Sequence, residues 1–166
     1  MVFDRPQQIA AARASVRSFF SQNWPYRELV IFNSTEHRLL PWWRKERCLE
    51  IRLKHQQPHE MLKLCAENAN GEWFVNWLPD CWYDDQYLRC ILKHREKGRL
   101  VVLKHKRVYS LAAKKLAVVT NSDIPCWSFY RHFPVNFELP LAPQFGDVME
   151  VNNSAHLIVK FAREIV

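Results

Sequence analysis

Four consecutive apolar residues, Leu29-Val30-Ile31-Phe32, leave no alternating position for water to touch. A strand with one wet face alternates; one that does not is covered on both faces, as strands of parallel sheets are when helices pack above and below. A helical period stands directly before it, with Ile9, Ala12, Val16, Phe19 and Phe20 on one face over roughly three turns. Asp4-Arg5-Pro6 opens that helix, Pro6 suiting the first helical position and Asp4 lying near the free N–H groups. Gln22-Asn23-Trp24-Pro25 closes it, and Met1-Val2-Phe3 supplies the tail of a first strand. Helix followed by buried strand predicts an α/β fold with a mostly parallel central sheet.

The remaining elements extend this pattern. Residues 48–53 alternate apolar and charged side chains, as a half-exposed strand does. Pro58 opens a helix over 59–67, with Met61, Leu62, Leu64 and Cys65 for its buried side. After the turn signal Asn70-Gly71, the aromatic run 73–77 reads as a buried strand that breaks at Pro79. Asp80, Cys81, Trp82, Asp84 and Asp85 then introduce a helix over 84–97, with Leu88, Ile91 and Leu92 inside and Gly98 as its stop. Residues 100–103 and 108–111 read as two strands joined by a projecting basic turn, Lys104-His105-Lys106-Arg107, and 117–119 as another strand. The expected architecture is a single domain over 1–166, with flanking helices and a small antiparallel hairpin.

Composition excludes several functions. A chain of 166 residues, 48% apolar and 25% charged, is long enough to bury roughly two thirds of its unfolded surface. Three glycines and no G-x-G-x-x-G or P-loop phrase argue against a dinucleotide fold or triphosphate hydrolysis. No apolar run spans a bilayer and no signal-peptide order opens the chain, so a cytoplasmic protein is expected. The cysteines Cys48, Cys65, Cys81, Cys90 and Cys126 are odd in number, never spaced C-x-x-C, and read as reduced thiols. His55 and His59 have i, i+4 spacing, but Pro58 interrupts the helix that would align them on a metal.

Charge is unevenly placed. Residues 89–115 hold ten Lys or Arg and one acid, Glu96, a local charge of +9; the rest holds 14 basic and 16 acidic residues, so this segment accounts for the whole +7. Such a segment is either a solvated face or the footprint of a polyanion: nucleic acid, an anionic membrane, or a phosphate-rich substrate.

The acids after the 73–77 strand carry the chemistry. In an open α/β sheet, ligands bind beyond the carboxyl ends of the strands, where a carboxylate can hold a metal or a phosphate-bound cation. Asp84 and Asp85 are also explained as caps at the start of a helix. Asp80 has no such explanation.

The stretch Ala69-Asn70-Gly71-Glu72-Trp73-Phe74-Val75-Asn76-Trp77-Leu78-Pro79-Asp80-Cys81-Trp82 resembles the phrase A-x-G-E-Y-I-x-x-W-D-D-D-D-W of family 2 glycosyltransferases with the GT-A fold. Leu78, Pro79 and Cys81 replace acids of the family, and Asp80 is the acid left in frame. The opening is similar too: Arg5-Pro6, then the frame from Ser15-Val16 through Gln22 and Pro25 to Glu28-Leu29-Val30-Ile31, follows R-P and S-V-x-S-x-x-x-Q-x-Y-P-x-x-E-L-V-I-V-D-D. The match is strong before Leu88 and weak after Lys97.

The resemblance implies roles for particular residues. Asp4, Arg5, Asn33, Ser34 and Asp80 would bind the nucleotide diphosphate sugar, Asn33-Ser34-Thr35 standing where the family has acids and Glu36 being a candidate to compensate. A divalent metal, Mn²⁺ or Mg²⁺, would rest on Asp80 and His156, and nearby Lys or Arg could share its task. Asp147, after Gly146, stands at the place of the catalytic base. The half before Lys97 would take the donor and the half from Gly98 on the acceptor, with Lys104, Lys106, Arg107, Trp127 and Tyr130 on the acceptor side; Trp42-Trp43 could stack on a base or sugar.

Three functions stay open. The first is transfer of a hexose or pentose to a hydroxymethylated base in DNA, as small phage glycosyltransferases of this look perform, in the host cytoplasm if a phage encodes it. The second is transfer to a cell-surface or lipid-linked glycan. The third is a non-catalytic nucleic-acid-binding module that has lost its acids.

Overall fold

In the computed structural model the described residues are 1–40, 47–54, 58–94, 100–111, 114–120, 127–130 and 148–160. Three strands form a parallel sheet, β1 (Val2–Phe3), β2 (Leu29–Asn33) and β3 (Cys48–Arg52), in the order β1-β2-β3. Helix α1 (Ile9–Phe20) follows a 3₁₀ turn at Pro6–Gln8, and α2 (Pro58–Asn68) follows β3.

The burial of β2 explains its sequence. All five residues are buried. Leu29 and Ile31 join the cluster of Val16, Phe19 and Trp77, while Val30 and Phe32 join Met61 and Cys65 of α2. Successive side chains thus enter different cores on opposite faces, so no position is left for a polar residue. β3, at the edge, does not bury its side chains in the expected alternation: Leu49 is exposed, and the charged Glu50 is half-buried because it accepts bonds from Asn33 and from Leu39 and Leu40.

The second half of the fold is a six-stranded mixed sheet: β4 (Trp73–Val75), β8 (Trp127–Tyr130), β6 (Leu100–Ser110), β9 (Val148–Lys160) and β5 (Cys81–Tyr83) in that order, with β7 (Lys115–Thr120) also paired to β6. β6 and β7 make an antiparallel hairpin, although not the one expected between 100–103 and 108–111, and β6 and β9 run parallel. Helix α3 (Tyr87–Lys93) lies between β5 and β6 in sequence. Because β4 and β5 belong to this sheet, the two parts of the fold interlock before residue 97.

Four local expectations need correction. The aromatic run forms a shorter strand, β4, which is half-buried and antiparallel to β8; Asn76 and Trp77 beyond it are the buried pair. Cys81–Tyr83 is a strand paired to β9 rather than part of a loop, because Cys81 and Tyr83 are buried while Trp82 between them is less so. The helix after it starts at Tyr87, since Asp84 accepts the Gln86 N–H at 2.9 Å and makes a turn first. The basic turn at 104–107 is continuous strand inside β6: backbone pairing to β7 and β9 fixes the ladder whatever the side-chain charge.

The thiols are as expected where described. Cys65 and Cys81 are buried, Cys48 and Cys90 half-buried, and all four are thiols outside any disulfide; Cys126 lies outside the described residues. Burial pushes the Cys90 thiol up to about 11, Asp84 adding to the shift and Lys93 opposing it.

Candidate active site

Parallel pairing brings the ends of β1, β2 and β3 to one edge. Phe3 is in register with Asn33, and Asn33 with Arg52. Asp4, Arg5, Asn33 and Ser34 therefore gather at the carboxyl lip of the sheet, and the Ser34 N–H donates to the Phe3 carbonyl at 3.0 Å. Asp4 and Arg5 are exposed there and 3.8 Å apart, a solvent-screened pair. Asp4 does not cap the turn at Pro6, where no side-chain cap bond forms.

Asn33 is wholly buried and its amide is engaged within the protein. Its Nδ2 donates to the His37 carbonyl at 2.6 Å and to Glu50 Oε1 at 2.7 Å, and its Oδ1 accepts from the N–H and hydroxyl of Thr35 at 2.9 and 2.8 Å. Glu50 completes the arrangement by accepting the backbone N–H groups of Leu39 and Leu40, at 3.1 and 3.0 Å. Asn33 and Glu50 fold residues 34–40 into a fixed loop, to which the Thr35 hydroxyl adds by accepting the His37 N–H at 3.3 Å, while Ser34 beside it is half-buried. Glu36 is exposed on that loop. The Glu50 role was missed by sequence reasoning because its alternation in β3 reads as a surface acid; the one signal was an acid directly opposite the apolar Ile31.

Helix α1 joins this loop to the acidic turn. Arg13 donates to the Arg38 carbonyl at 3.1 Å, and two residues on, the Ser15 hydroxyl donates to the Leu78 carbonyl at 2.7 Å. The entrances of β2 and the β4 segment are fastened too, Glu28 accepting from Asn70 N and Nδ2 at 2.7 and 2.9 Å. From there the chain passes Phe19, whose ring meets Trp77 edge-on at 5.4 Å, and then Ser15. Both segments thus run along α1 in one direction, and Asp80 emerges toward the same end as Asn33.

An aromatic clip holds the turn. Trp77 and Tyr83 rings lie 4.2 Å apart, Tyr83 and Tyr87 4.4 Å, and the Tyr83 hydroxyl accepts the Leu78 N–H at 3.0 Å. Trp77 Nε1 donates to the Ser15 carbonyl at 3.2 Å. Between these rings sit Leu78, Pro79 and Asp80, all half-buried. The Asp80 carboxylate accepts one weak contact, from Cys81 Sγ at 3.6 Å. Asp84 and Asp85, by contrast, fasten α1 to α3: Gln22 Nε2 donates to the Asp84 carbonyl at 2.5 Å, and Asn23 donates to Asp85 Oδ2 at 2.8 Å.

A Mg²⁺ or Mn²⁺ ion takes one or two carboxylates and completes its shell with substrate phosphates and water. Asp80 supplies one such carboxylate, and among the described residues no group of three His, Cys, Asp or Glu side chains comes together. This donor set fits an ion that arrives with a diphosphate and does not form a resident cage. Asp147 and Trp42-Trp43 lie outside the described residues. Lys104, Lys106 and Arg107 lie on β6, Trp127 and Tyr130 on β8, and His156 on β9. The register places His156 close to the basic stretch: Asn152 pairs with His105 and Leu157 with Arg107, so residues 153–156 stand opposite Lys106.

No protein-family model and no curated protein sequence matches this chain. Its fold matches a solved structure, S. aureus TarS 1–349, with a TM-score of 0.66 at 9% sequence identity, covering 96% of this chain and 59% of that one. The chain thus spans a little over half the length of that structure. At this identity the likeness is one of fold: the chain shares the mixed α/β architecture of that structure.

Proposed function

We propose that the protein is a glycosyltransferase that moves a sugar from a nucleotide diphosphate donor to an acceptor hydroxyl. What supports this reading is the fold shared across 96% of the chain with TarS 1–349, together with the one acid in the motif frame, Asp80, standing in a turn that Ser15 ties to the same helix that Arg13 ties to the 34–40 loop. Asp4, Arg5 and Ser34 present polar groups for the nucleotide, and Asn33 and Thr35 hold their loop in place. Asp80 would hold a divalent ion, which when bound would supply positive charge against the departing diphosphate. Asp147 draws the proton from the acceptor hydroxyl; that oxygen bonds the anomeric carbon as the bond to diphosphate breaks. The donor is taken by the part before residue 97 and the acceptor by the part after it.

The +9 segment favours a polyanionic acceptor, and a hydroxymethylated DNA base is the reading it matches best, since phosphate contacts tether an enzyme to its polymer. Its hydroxymethyl group can be met in the major groove or by flipping, with Trp127 or Tyr130 stacking on the base. A cell-surface glycan is the second reading, favoured by the aromatic cavity described below. Among the described residues no helix is long and apolar enough to cross a membrane, and we place the reaction in the cytoplasm.

The test is release of nucleoside diphosphate from a panel of nucleotide sugars with Mn²⁺, using hydroxymethylated DNA, unmodified DNA and lipid extracts as acceptors. Label entering hydroxymethylated DNA supports the first reading, and label entering lipid extract the second. DNA binding without turnover of any donor overturns the enzyme in favour of a binding module. Asp147→Asn is expected to reduce transfer far more than donor binding; equal losses would remove it as the base. Charge reversal at Lys104, Lys106 and Arg107 is expected to weaken DNA binding and lower the salt slope by about 3.

A further inference from the structure

A cavity of about 540 Å³ lies at the far end of β2 from Ser34, between residues 24–30, the end of α2 and the segment leading into β4. Its volume is in the range that encloses small organic ligands. The donor chemistry makes no use of it, because α/β sheets bind at the carboxyl ends of their strands and this cavity faces the amino end.

Its lining is chemically specific. Trp24, Tyr26 and Trp73 supply ring faces, and Tyr26 is 80% exposed. The polar groups beside them are fixed in advance. The Arg27 guanidinium donates to the carbonyls of Trp24 and Phe20 and lies 5.8 Å from the Phe19 ring centroid. The Glu28 carboxylate is oriented by its two bonds from Asn70, and Glu72 is exposed at the rim. Two carboxylates and one guanidinium line the cavity, a balance of charge that disfavours a phosphate chain. What fits is a neutral ligand with an apolar face for the rings and hydroxyl groups for the carboxylates and amide.

We propose that this cavity is a subsite for a neutral saccharide, stacked on Tyr26 and the two tryptophans and oriented by Glu28 and Asn70. Aromatic rings take the C–H face of a pyranose, and carboxylate and amide take its hydroxyls. If the acceptor is a glycan, the second of the two readings above, the subsite holds part of it away from the reacting hydroxyl and adds avidity without entering the chemistry; that consequence rests on that reading, whereas saccharide binding does not.

The experiment titrates the whole chain with chitotetraose, cellotetraose and mannotetraose, following tryptophan fluorescence, in the native protein and in Tyr26→Ala. Donor hydrolysis is measured in parallel. Saturable binding of one of them in the millimolar range or tighter, weakened about tenfold by Tyr26→Ala with donor hydrolysis unchanged, is the expected result. The inference is overturned if none of the three binds below about 10 mM, if Tyr26→Ala leaves the Kd within about twofold, or if a DNA duplex displaces the saccharide. Because hydrolysis is read separately, loss of the subsite and loss of the glycosyltransferase reading cannot be confused.

Discussion

Two carboxylates beside helix α1 have opposite fates. Glu50 accepts the Asn33 amide and the N–H groups of Leu39 and Leu40, all within the protein. Asp80, in a turn hung from the same helix by Ser15, accepts a single long contact from a thiol. A carboxylate saturated by backbone donors is a fastener, because any ligand must compete with bonds already formed. One held in position but left with open lone pairs can take a ligand, which is the role proposed for Asp80. Engagement, and not the mere presence of an acid, separates structure from chemistry here.

The sharpest way to break this contrast is to neutralise each acid in turn. Asp80→Asn is expected to lower donor turnover by about 100-fold or more while leaving the urea midpoint in place; unchanged turnover would make Asp80 a surface acid. Glu50→Ala is expected to do the reverse, costing about 1–3 kcal/mol of stability because buried N–H groups lose their acceptor. Urea unfolding measures it, and a stability equal to native would show that residues 34–40 hold without Glu50.

A subtler change sharpens the comparison without touching either acid. Ser15→Ala removes the tether to Leu78 and should cost about 1 kcal/mol in unfolding free energy. Turnover should fall with it, since Asp80 would lose its fixed position; full activity would mean the aromatic clip alone sets the turn. The smallest effect concerns reactivity. With its thiol raised to about 11, Cys90 should be alkylated at pH 8 far more slowly than a free thiol of pKa about 8.5. Mass spectrometry of a timed iodoacetamide reaction checks this, and rapid labelling would mean that the site opens.

What the sequence made legible follows the distance over which each signal acts. Helix α1, the fully buried β2 and the alternating β3 are written in local periods, and all three stand where those periods put them. The gathering of Asp4, Arg5, Asn33 and Ser34 followed from parallel order alone. The mixed sheet was harder, because β4 pairs with β8 and β5 with β9 across more than fifty residues, and no local pattern announces such partners. Lys104-His105-Lys106-Arg107 misled for a related reason: charge argues for a turn only when the backbone has no neighbour, and here His105 and Arg107 are paired to both β7 and β9. Asn33 and Glu50 were invisible as a pair, since their bond joins two strands through side chains.

The pairing of β6 with β9 has a further consequence. Residues 153–156 stand opposite Lys106 alone, flanked by the pairs Asn152 with His105 and Leu157 with Arg107. Extra residues lodged against one partner can be gained or lost without resetting the ladder on either side. Length differences between this chain and its evolutionary cousins should therefore collect there, and a short peptide epitope inserted at that point would be a practical handle for following the protein in cells.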